Sequence, residues 1–128
     1  MENIPYDKRS GKIWFNGKTV DWSEANIHIL NHGLHYASCV FEGERVYDGE
    51  IFKLEEHTDR LFYSAKRMGI IVPFSQKEIN DSCRNIVDIQ NVQNGYVRPV
   101  IWRGSEMMAI SAQKNKIHVA IATWEWGS

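Results

Sequence analysis

Two stretches near the start of the chain place a turn sequence between runs of aromatic and β-branched residues. Residues 12–22 are divided by Asn16-Gly17, and residues 39–54 are divided by Asp48-Gly49. Asn-Gly and Asp-Gly readily adopt the positive φ angles that tight hairpin turns require. The sequence therefore predicts two β-hairpins. Residues 23–30 between them fit either a helical turn or a loop.

Side chains in the first strand of the second hairpin alternate between two faces, because successive residues of a strand point to opposite sides. One face carries Phe41, Gly43, Arg45 and Tyr47, and the other carries Val40, Glu42, Glu44 and Val46.

From Leu54 the hydrophobic period changes to that of a helix, which runs to Met68 and stops at Gly69. A second helix starts at Ser75, where Glu78 completes a capping box. The predicted buried stripe of the first helix is Leu54, Leu61, Ala65 and Met68, and that of the second is Ile79, Cys83, Ile86 and Val87.

Two further strands follow the helices. Residues 96–103 contain Pro99, which lacks an N–H and predicts a free edge or an interruption in the pairing. Residues 104–115 are a predicted loop, and the apolar run 116–124 predicts a strand buried on both faces. Because strands and helices are segregated, we expect an α+β fold: a mainly antiparallel sheet of about six strands with two helices on one face. Residues 1–10 are expected to be a flexible arm.

Composition excludes several function classes for these 128 residues. The net charge is −1 with dispersed cations, which gives no case for nucleic acid or a membrane surface as partner. No apolar run approaches the roughly 20 residues that span a bilayer. Cys39 and Cys83 lack CxxC spacing and fit free thiols in a reducing compartment, so we expect a cytoplasmic protein.

Three histidines precede the second hairpin, at positions 28, 32 and 35. On a helix this spacing would bring three imidazoles together, so a metal site is one hypothesis. Asn31 and Gly33 disfavour a helix there, and no cysteine or carboxylate completes a zinc set. Structural hydrogen bonding is therefore the preferred role, and we assign no metal.

Three arginines are ambiguous from pattern alone. Arg45 and Arg98 fit solvated strand surface and a carboxylate-binding pocket about equally well. Arg60 lies four residues after Glu56, so a surface ion pair is favoured over a phosphate ligand.

At these residues the sequence resembles the branched-chain amino acid aminotransferases, pyridoxal-phosphate enzymes of the fold-type IV class. The resemblance spans about residues 13 to 126, and its blocks occur in order at family-like spacing. The matching blocks are Ile13-Trp-Phe-Asn-Gly17, Ile27-His through Leu34-His-Tyr36, Val40-Phe-Glu-Gly43-x-Arg45-x-Tyr47, Glu56-His-x-x-Arg60-Leu, Ser64-Ala-Lys66 and Tyr96-x-Arg98-Pro99.

The resemblance implies a role for each matching position. Arg60 matches the arginine that holds the cofactor phosphate, which reverses the preference for a surface ion pair. Arg98, with Arg45 and Tyr36 nearby, matches the group that receives the distal carboxylate of glutamate or 2-oxoglutarate. Residues matching the pocket for an aliphatic side chain are Phe41, Gly43, Tyr96 and Trp126.

The resemblance also implies that each subunit contributes residues to its neighbour's site, and hence a homo-oligomer. The contributed residues are Tyr36 and the loop Met107–Ile110, which includes Met108, Ala109 and Ile110. Two positions depart from the family pattern. Ala37 and Ala109 stand where glycine is usual, and we expect the extra methyl group to narrow the loop or change its turn.

The resemblance also implies what these residues do not supply. The family's Schiff-base lysine lies in a second domain beyond Ser128, and none of the eight lysines here stands at a matching position. We therefore expect residues 11–128 to be the N-terminal small domain of a two-domain enzyme, inactive alone and not binding pyridoxal 5'-phosphate stably. The intact enzyme would act on leucine, isoleucine, valine, glutamate and 2-oxo acids.

Two alternatives remain besides the metal-binding hypothesis. One is a stand-alone binding or assembly module, and the other is the small domain of a related D-amino acid aminotransferase.

Overall fold

The computed structural model describes residues 4–111 and 113–127, and within them seven strands form one sheet accompanied by three α-helices. The strands are β1 (Lys12–Phe15), β2 (Lys18–Asp21), β3 (Cys39–Phe41), β4 (Glu44–Tyr47), β5 (Glu50–Ile51), β6 (Gly95–Arg103) and β7 (Ile117–Glu125). The helices are α1 (His32–Tyr36), α2 (Leu54–Arg67) and α3 (Gln76–Gln90), and single 3₁₀ turns occupy Tyr6–Lys8 and Trp22–Glu24.

The sheet has the order β2-β1-β7-β6-β4-β5, and β3 also pairs with β6. Every recorded strand pair is antiparallel. The predicted α+β class, with a mainly antiparallel sheet and two main helices, is thus confirmed. Among the described residues, no helix is long and apolar enough to cross a membrane.

Both hairpins form where the turn sequences predicted them. Asn16 and Asp48 take φ angles of 50° and 49°, in the left-handed region that these turns require. The return strand β5 is shorter than the predicted run, since it ends at Ile51. Lys53, with φ of 58°, then turns the chain into α2.

Helices α2 and α3 cover one face of the sheet, and the capping box at Ser75 is confirmed. The predicted buried stripe of α3 is correct, whereas that of α2 needs one change. Met68 ends the helix at the surface, and Thr58 takes the buried place instead. The Thr58 hydroxyl donates to Asn80 Oδ1 across the helix pair, which satisfies a polar group inside the core.

Pro99 lies in the centre of the sheet, not at an edge. On one side it pairs with Ile121 of β7, and on the other its carbonyl accepts the N–H of Glu42 at 3.1 Å. Strands β3 and β4 pair with β6 in one continuous register, but the pairing is interrupted at residues 42–43, opposite Pro99. The missing N–H of Pro99 accounts for this break, so the predicted interruption is present.

The second face of the sheet is largely open. The prediction that the last strand is buried on both faces was wrong, since His118, Ala122 and Trp124 are only partly buried. Alanine side chains at 120 and 122 are too small to fill the space above β7, so a groove remains there. Residues Val119, Ile121 and Thr123 point to the helix side and are buried.

The segment expected to resist helix formation contains α1. Asn31 is its N-cap, and the Asn31 side chain accepts a hydrogen bond from the N–H of Leu34. The expectation that Asn31 disfavours a helix was therefore wrong, because asparagine at this position supplies an acceptor to an otherwise free N–H. Ala37 ends the helix with φ of 55° and ψ of 30°.

Ala37 is an alanine in the left-handed region, which glycine occupies at lower cost. We expect Ala37→Gly to raise the free energy of unfolding by about 0.5–1 kcal/mol, because relieved strain exceeds the extra entropy of the unfolded chain. Urea denaturation of the 128-residue chain measures this change. Ala109→Gly is the matched control, because Ala109 does not have a positive φ. Equal shifts for both variants would contradict the assignment of strain to Ala37.

Candidate functional site

The open face of the sheet carries two adjoining grooves. One, of about 440 Å³, lies between the sheet and the segment from Ala25 to Leu34, and its floor includes Val100, Ala120 and Ala122. The other, of about 590 Å³, extends toward Trp124 and Trp126. Arg98 lines both grooves, so it is the cation shared by the two spaces.

Arg98 is surrounded by aromatic rings. Its Nη2 donates to the Tyr96 hydroxyl at 2.8 Å, and its guanidinium carbon lies 4.1 Å from the centroid of the Phe41 ring. No salt bridge to Arg98 is recorded within residues 4–111 and 113–127, and its Nε is buried without a partner there. The guanidinium is thus held by a hydroxyl and a π face, with donors left for an anion.

Gly43 provides the space that Tyr96 occupies. A Cβ atom at Gly43 would overlap the Tyr96 hydroxyl oxygen and lie only 2.8 Å from its Cζ. On the other side of Arg98, the residue paired with it in β7 is Ala122. Small residues on both sides leave room for the Tyr96 hydroxyl to reach the guanidinium.

Arg45 and Trp126 meet beside this cluster. Arg45 Nη2 donates to the carbonyl oxygen of Trp126 at 3.1 Å, and the Trp126 ring lies edge-on to Tyr96 with centroids 4.9 Å apart. The structure therefore brings together six of the predicted site residues, which are Phe41, Gly43, Arg45, Tyr96, Arg98 and Trp126.

The remaining predicted substrate residues form a second group. The Tyr36 hydroxyl donates to the carbonyl of Met108 at 3.0 Å, and Ile110 is 84% exposed at the loop tip. This group is anchored at Gly104, just after β6 ends, because the N–H of His32 donates to the Gly104 carbonyl at 2.9 Å. Neither Tyr36 nor the loop with Met108 and Ile110 lines a groove that contains Arg98.

The three histidines hold loops through separate hydrogen bonds. His32 Nε2 lies 3.0 Å from the Ala109 carbonyl, an acceptor, so this nitrogen carries the proton, and Nδ1 accepts from Ser38 Oγ at 2.6 Å. His35 Nε2 donates to the carbonyl of Ile29, and His28 Nδ1 accepts the N–H of Leu30. Each ring thus has the hydrogen-bonding role that the sequence favoured.

Arg60 pairs with Glu42, not with Glu56 as its spacing suggested. Both Nε and Nη2 of Arg60 contact the Glu42 carboxylate, at 2.9 and 2.8 Å, and His57 Nδ1 adds a third contact at 2.7 Å. Glu56 pairs with Lys53 instead. Burial would raise the pKa of Glu42, but the hydrogen bonds and charges of Arg60 and His57 outweigh it and lower that pKa.

Glu44 is a fully buried carboxyl on the same face as Glu42. Neither of its oxygens has a hydrogen-bond partner among the described residues. Burial, with a smaller contribution from the charge of Glu42, raises the pKa of Glu44 from 4.5 to about 8. Glu44 is therefore a neutral acid at pH 7.

Sequence reasoning overlooked Glu42, Glu44 and His57 as site-forming residues. The available signal was the alternation in residues 39–47, which put two glutamates on the face occupied by Val40 and Val46. Charged residues on a core face need a partner or a shifted pKa.

Comparison with known proteins identifies relatives of this chain. The family model described as amino-transferase class IV matches residues 39–128. A branched-chain-amino-acid aminotransferase of Pseudomonas aeruginosa is 46% identical over 124 residues, covering 94% of this chain and 40% of the relative. The Escherichia coli K12 enzyme of the same name is 36% identical, covering 94% of this chain and 41% of its own length.

Solved structures give the same result. The T.th. branched-chain amino acid aminotransferase with pyridoxamine 5'-phosphate has a TM-score of 0.89 and 35% identity, covering 94% of this chain and 41% of that one. The Escherichia coli enzyme has a TM-score of 0.87 and 36% identity, covering 92% and 42%. The chain thus spans about 40% of the length of the curated relatives it matches.

Adding a side chain at Gly43 should displace Tyr96. We expect Gly43→Ala to lower the free energy of unfolding by about 1–3 kcal/mol, since the methyl group overlaps a packed ring. Urea denaturation measures the loss. The double variant Gly43→Ala/Tyr96→Phe should recover part of the lost free energy of unfolding, because the Tyr96 hydroxyl oxygen is the atom closest to the added methyl group.

Gly127→Ala is the control for this substitution, since nothing lies within 4 Å of a Cβ there. A neutral effect of Gly43→Ala would show that Gly43 does not make room for Tyr96.

The buried acid should make stability depend on pH. Between pH 4.5 and about 8 the folded protein holds a proton on Glu44 that the unfolded chain releases. The stability associated with Glu44 is therefore full below pH 4.5 and is lost as the pH rises toward 8, by at most about 1.4 kcal/mol per pH unit. Glu44→Gln should remove this loss, so its stability relative to wild type should increase with pH.

Urea denaturation at pH 5, 6.5 and 8 provides the measurement. Glu50→Gln, an exposed glutamate of the same hairpin, is the control. If wild type and Glu44→Gln keep a constant difference across these pH values, the assignment of a neutral buried acid is wrong.

Proposed function

The chain belongs to the class IV aminotransferase family, and on that premise we propose that residues 11–128 form the N-terminal small domain of a branched-chain amino acid aminotransferase. The enzyme would move an amino group between leucine, isoleucine or valine and 2-oxoglutarate. The Pseudomonas aeruginosa and Escherichia coli relatives, which carry that name, support the assignment.

One observation carries this proposal: a single arginine, Arg98, stands in an aromatic and aliphatic groove, and no carboxylate pairs with it among the described residues. An enzyme that alternates between branched-chain and dicarboxylic substrates needs one pocket for both side chains. Because Arg98 donates to Tyr96 and lies against Phe41, its charge is covered when an aliphatic side chain occupies the groove. A distal carboxylate can instead engage the remaining donors of Arg98.

Residues Phe41, Gly43, Tyr96 and Trp126 would then contact the aliphatic side chain. Arg45 would support this wall, since it holds the carbonyl of Trp126. The role of these residues is to bind and orient the substrate and to exclude water from the groove.

Arg60 fits the role of a ligand for the phosphate of pyridoxal 5'-phosphate. Its side chain is 66% exposed, and Glu42 holds it through Nε and one Nη2 proton, which leaves Nη1 to face an anion. A planar guanidinium held by such a fork is oriented before the phosphate arrives. When bound, this cofactor supplies the electron sink that amino-group transfer requires.

We further propose that the lysine bearing the cofactor lies in a C-terminal domain beyond Ser128, so that these residues alone neither bind the cofactor stably nor turn over. By the resemblance, none of the eight lysines present here stands at the family position. This lysine would carry the proton during amino-group transfer. We assign that function to no residue of this chain.

A homo-oligomer would account for the two separated groups of site residues. Tyr36 and the loop with Met108, Ala109 and Ile110 do not line the grooves that contain Arg98. We propose that they complete the site of a neighbouring copy. The free thiols Cys39 and Cys83 support a reducing, cytoplasmic location.

Arg60→Gln tests the assignment in the holoenzyme, in which these residues are continued by the C-terminal domain. We expect the affinity for pyridoxal 5'-phosphate to fall about 10- to 100-fold, because charged hydrogen bonds to the phosphate are lost. Cofactor titration followed by absorbance measures the affinity, and leucine–2-oxoglutarate transamination measures activity.

Arg84→Gln is the matched control, because Arg84 is also an exposed helix arginine paired with a carboxylate, Glu55. The 128-residue chain with added cofactor is the negative control. Turnover by that chain, or an unchanged cofactor affinity in Arg60→Gln, would contradict the proposal. A chain that ends naturally at Ser128 would favour the binding-module alternative.

A further inference from the structure

The N-terminal 3₁₀ turn, Tyr6–Lys8, is fastened to the open face of the sheet. Trp22, which is buried, donates its Nε1–H to the carbonyl oxygen of Tyr6 at 2.6 Å. The guanidinium carbon of Arg9 lies 3.8 Å from the centroid of the Tyr6 ring, in a cation–π contact. Tyr6, in the segment 1–10 predicted to be a flexible arm, thus makes specific contacts with Trp22 and Arg9.

The Tyr6 ring begins a series of aromatic contacts that ends at the substrate arginine. Tyr6 meets Trp124 edge-on with centroids 5.2 Å apart, and Trp124 lies 5.2 Å from Tyr96. The hydroxyl of Tyr96 accepts the hydrogen bond from Arg98. Tyr6 is therefore connected to Arg98 through two ring contacts and one hydrogen bond.

Tyr6 also reaches the groove itself. The 590 Å³ groove is lined by Tyr6 and Asp7 at one end and by Tyr96, Arg98 and Trp126 at the other. The Tyr6 residue is 47% exposed, so its ring can both pack on Trp124 and present a face to the groove.

We propose that Tyr6 is a specificity-determining residue that favours aliphatic over dicarboxylic substrates; this inference rests on the proposed function. By holding Trp124 against Tyr96, it keeps the tyrosine over the Arg98 guanidinium, which is the arrangement that accepts an aliphatic side chain. A dicarboxylic substrate gains its binding from the charge of Arg98 and depends less on the order of the rings.

Steady-state kinetics of the holoenzyme with Tyr6→Ala tests the proposal. We expect KM for leucine to rise about 3- to 10-fold, the range for losing one aromatic pair. KM for 2-oxoglutarate and kcat should stay within about twofold of wild type. Tyr6→Phe, which keeps the ring, should behave as wild type, and Tyr63→Ala, an exposed tyrosine on α2, is the matched control.

A second measurement needs neither cofactor nor turnover. In the 128-residue chain, acrylamide should quench tryptophan fluorescence more strongly in Tyr6→Ala than in Tyr6→Phe, because the Trp124 ring loses its cover. If Tyr6→Ala does not fold, Tyr6→Leu replaces it, because leucine keeps side-chain volume without the ring. KM for leucine should then rise by less than expected for Tyr6→Ala, and KM for 2-oxoglutarate should again stay within about twofold of wild type.

The outcomes separate the two proposals. Wild-type holoenzyme without transaminase activity would overturn the proposed function and this inference with it. An active wild type in which Tyr6→Ala raises both KM values equally, changes kcat alone or changes nothing would overturn only the specificity role of Tyr6.

Discussion

The site depends on the strand register that β3 and β4 keep with β6 across a missing hydrogen-bond donor in the middle of the sheet. Pro99 lies in β6 between two partner strands, and it cannot donate an N–H to residues 42–43 opposite. The hydrogen-bond ladder is interrupted there, but the register is kept, so side chains continue to alternate between the two faces through the break. As a result, Phe41 and Gly43 stay on the open face, and Glu42 stays on the helix side.

The continuous register through this break connects the two halves of the proposed site. On the open face, Gly43 admits the Tyr96 hydroxyl, which accepts from Arg98. On the opposite face, Glu42 orients Arg60 through two hydrogen bonds. Three consecutive residues thus connect the side-chain groove with the arginine assigned to the phosphate. A shift of one residue in register would exchange the faces and disconnect both.

The two buried glutamates lie on the same face of the sheet, but their pKa values shift in opposite directions. Glu42 lies at the margin of the core, where Arg60 and His57 reach it, and its pKa is lowered. Glu44 lies two residues further into the core without a partner among the described residues, and its pKa is raised to about 8. Burial raises the pKa of both carboxyls, and only at Glu42 do the hydrogen bonds and charges of Arg60 and His57 outweigh it, so the surroundings decide which of them is ionised at pH 7.

Local patterns predicted most of the fold, because hairpin turns, helix caps and apolar periods depend on neighbours in sequence. The turns at Asn16 and Asp48, the capping box at Ser75 and the buried face of α3 are examples. The resemblance also implied substrate-binding roles for Phe41, Gly43, Tyr96 and Arg98. Predictions failed where neighbours in space decide: the half-open face of β7, the exposed Met68 and the helix at His32–Tyr36.

By itself, the sequence determined the strand pattern, the two long helices α2 and α3 and the residue types of the site, since these follow from short-range periodicity and recognisable motifs. Only the tertiary structure decided that Arg60 pairs with Glu42, that Glu44 is buried without a partner among the described residues and that Tyr6 packs on Trp124. These contacts join residues far apart in the chain or depend on what surrounds a side chain. Charge pairing, burial and aromatic packing over such separations have no periodic signal in the sequence.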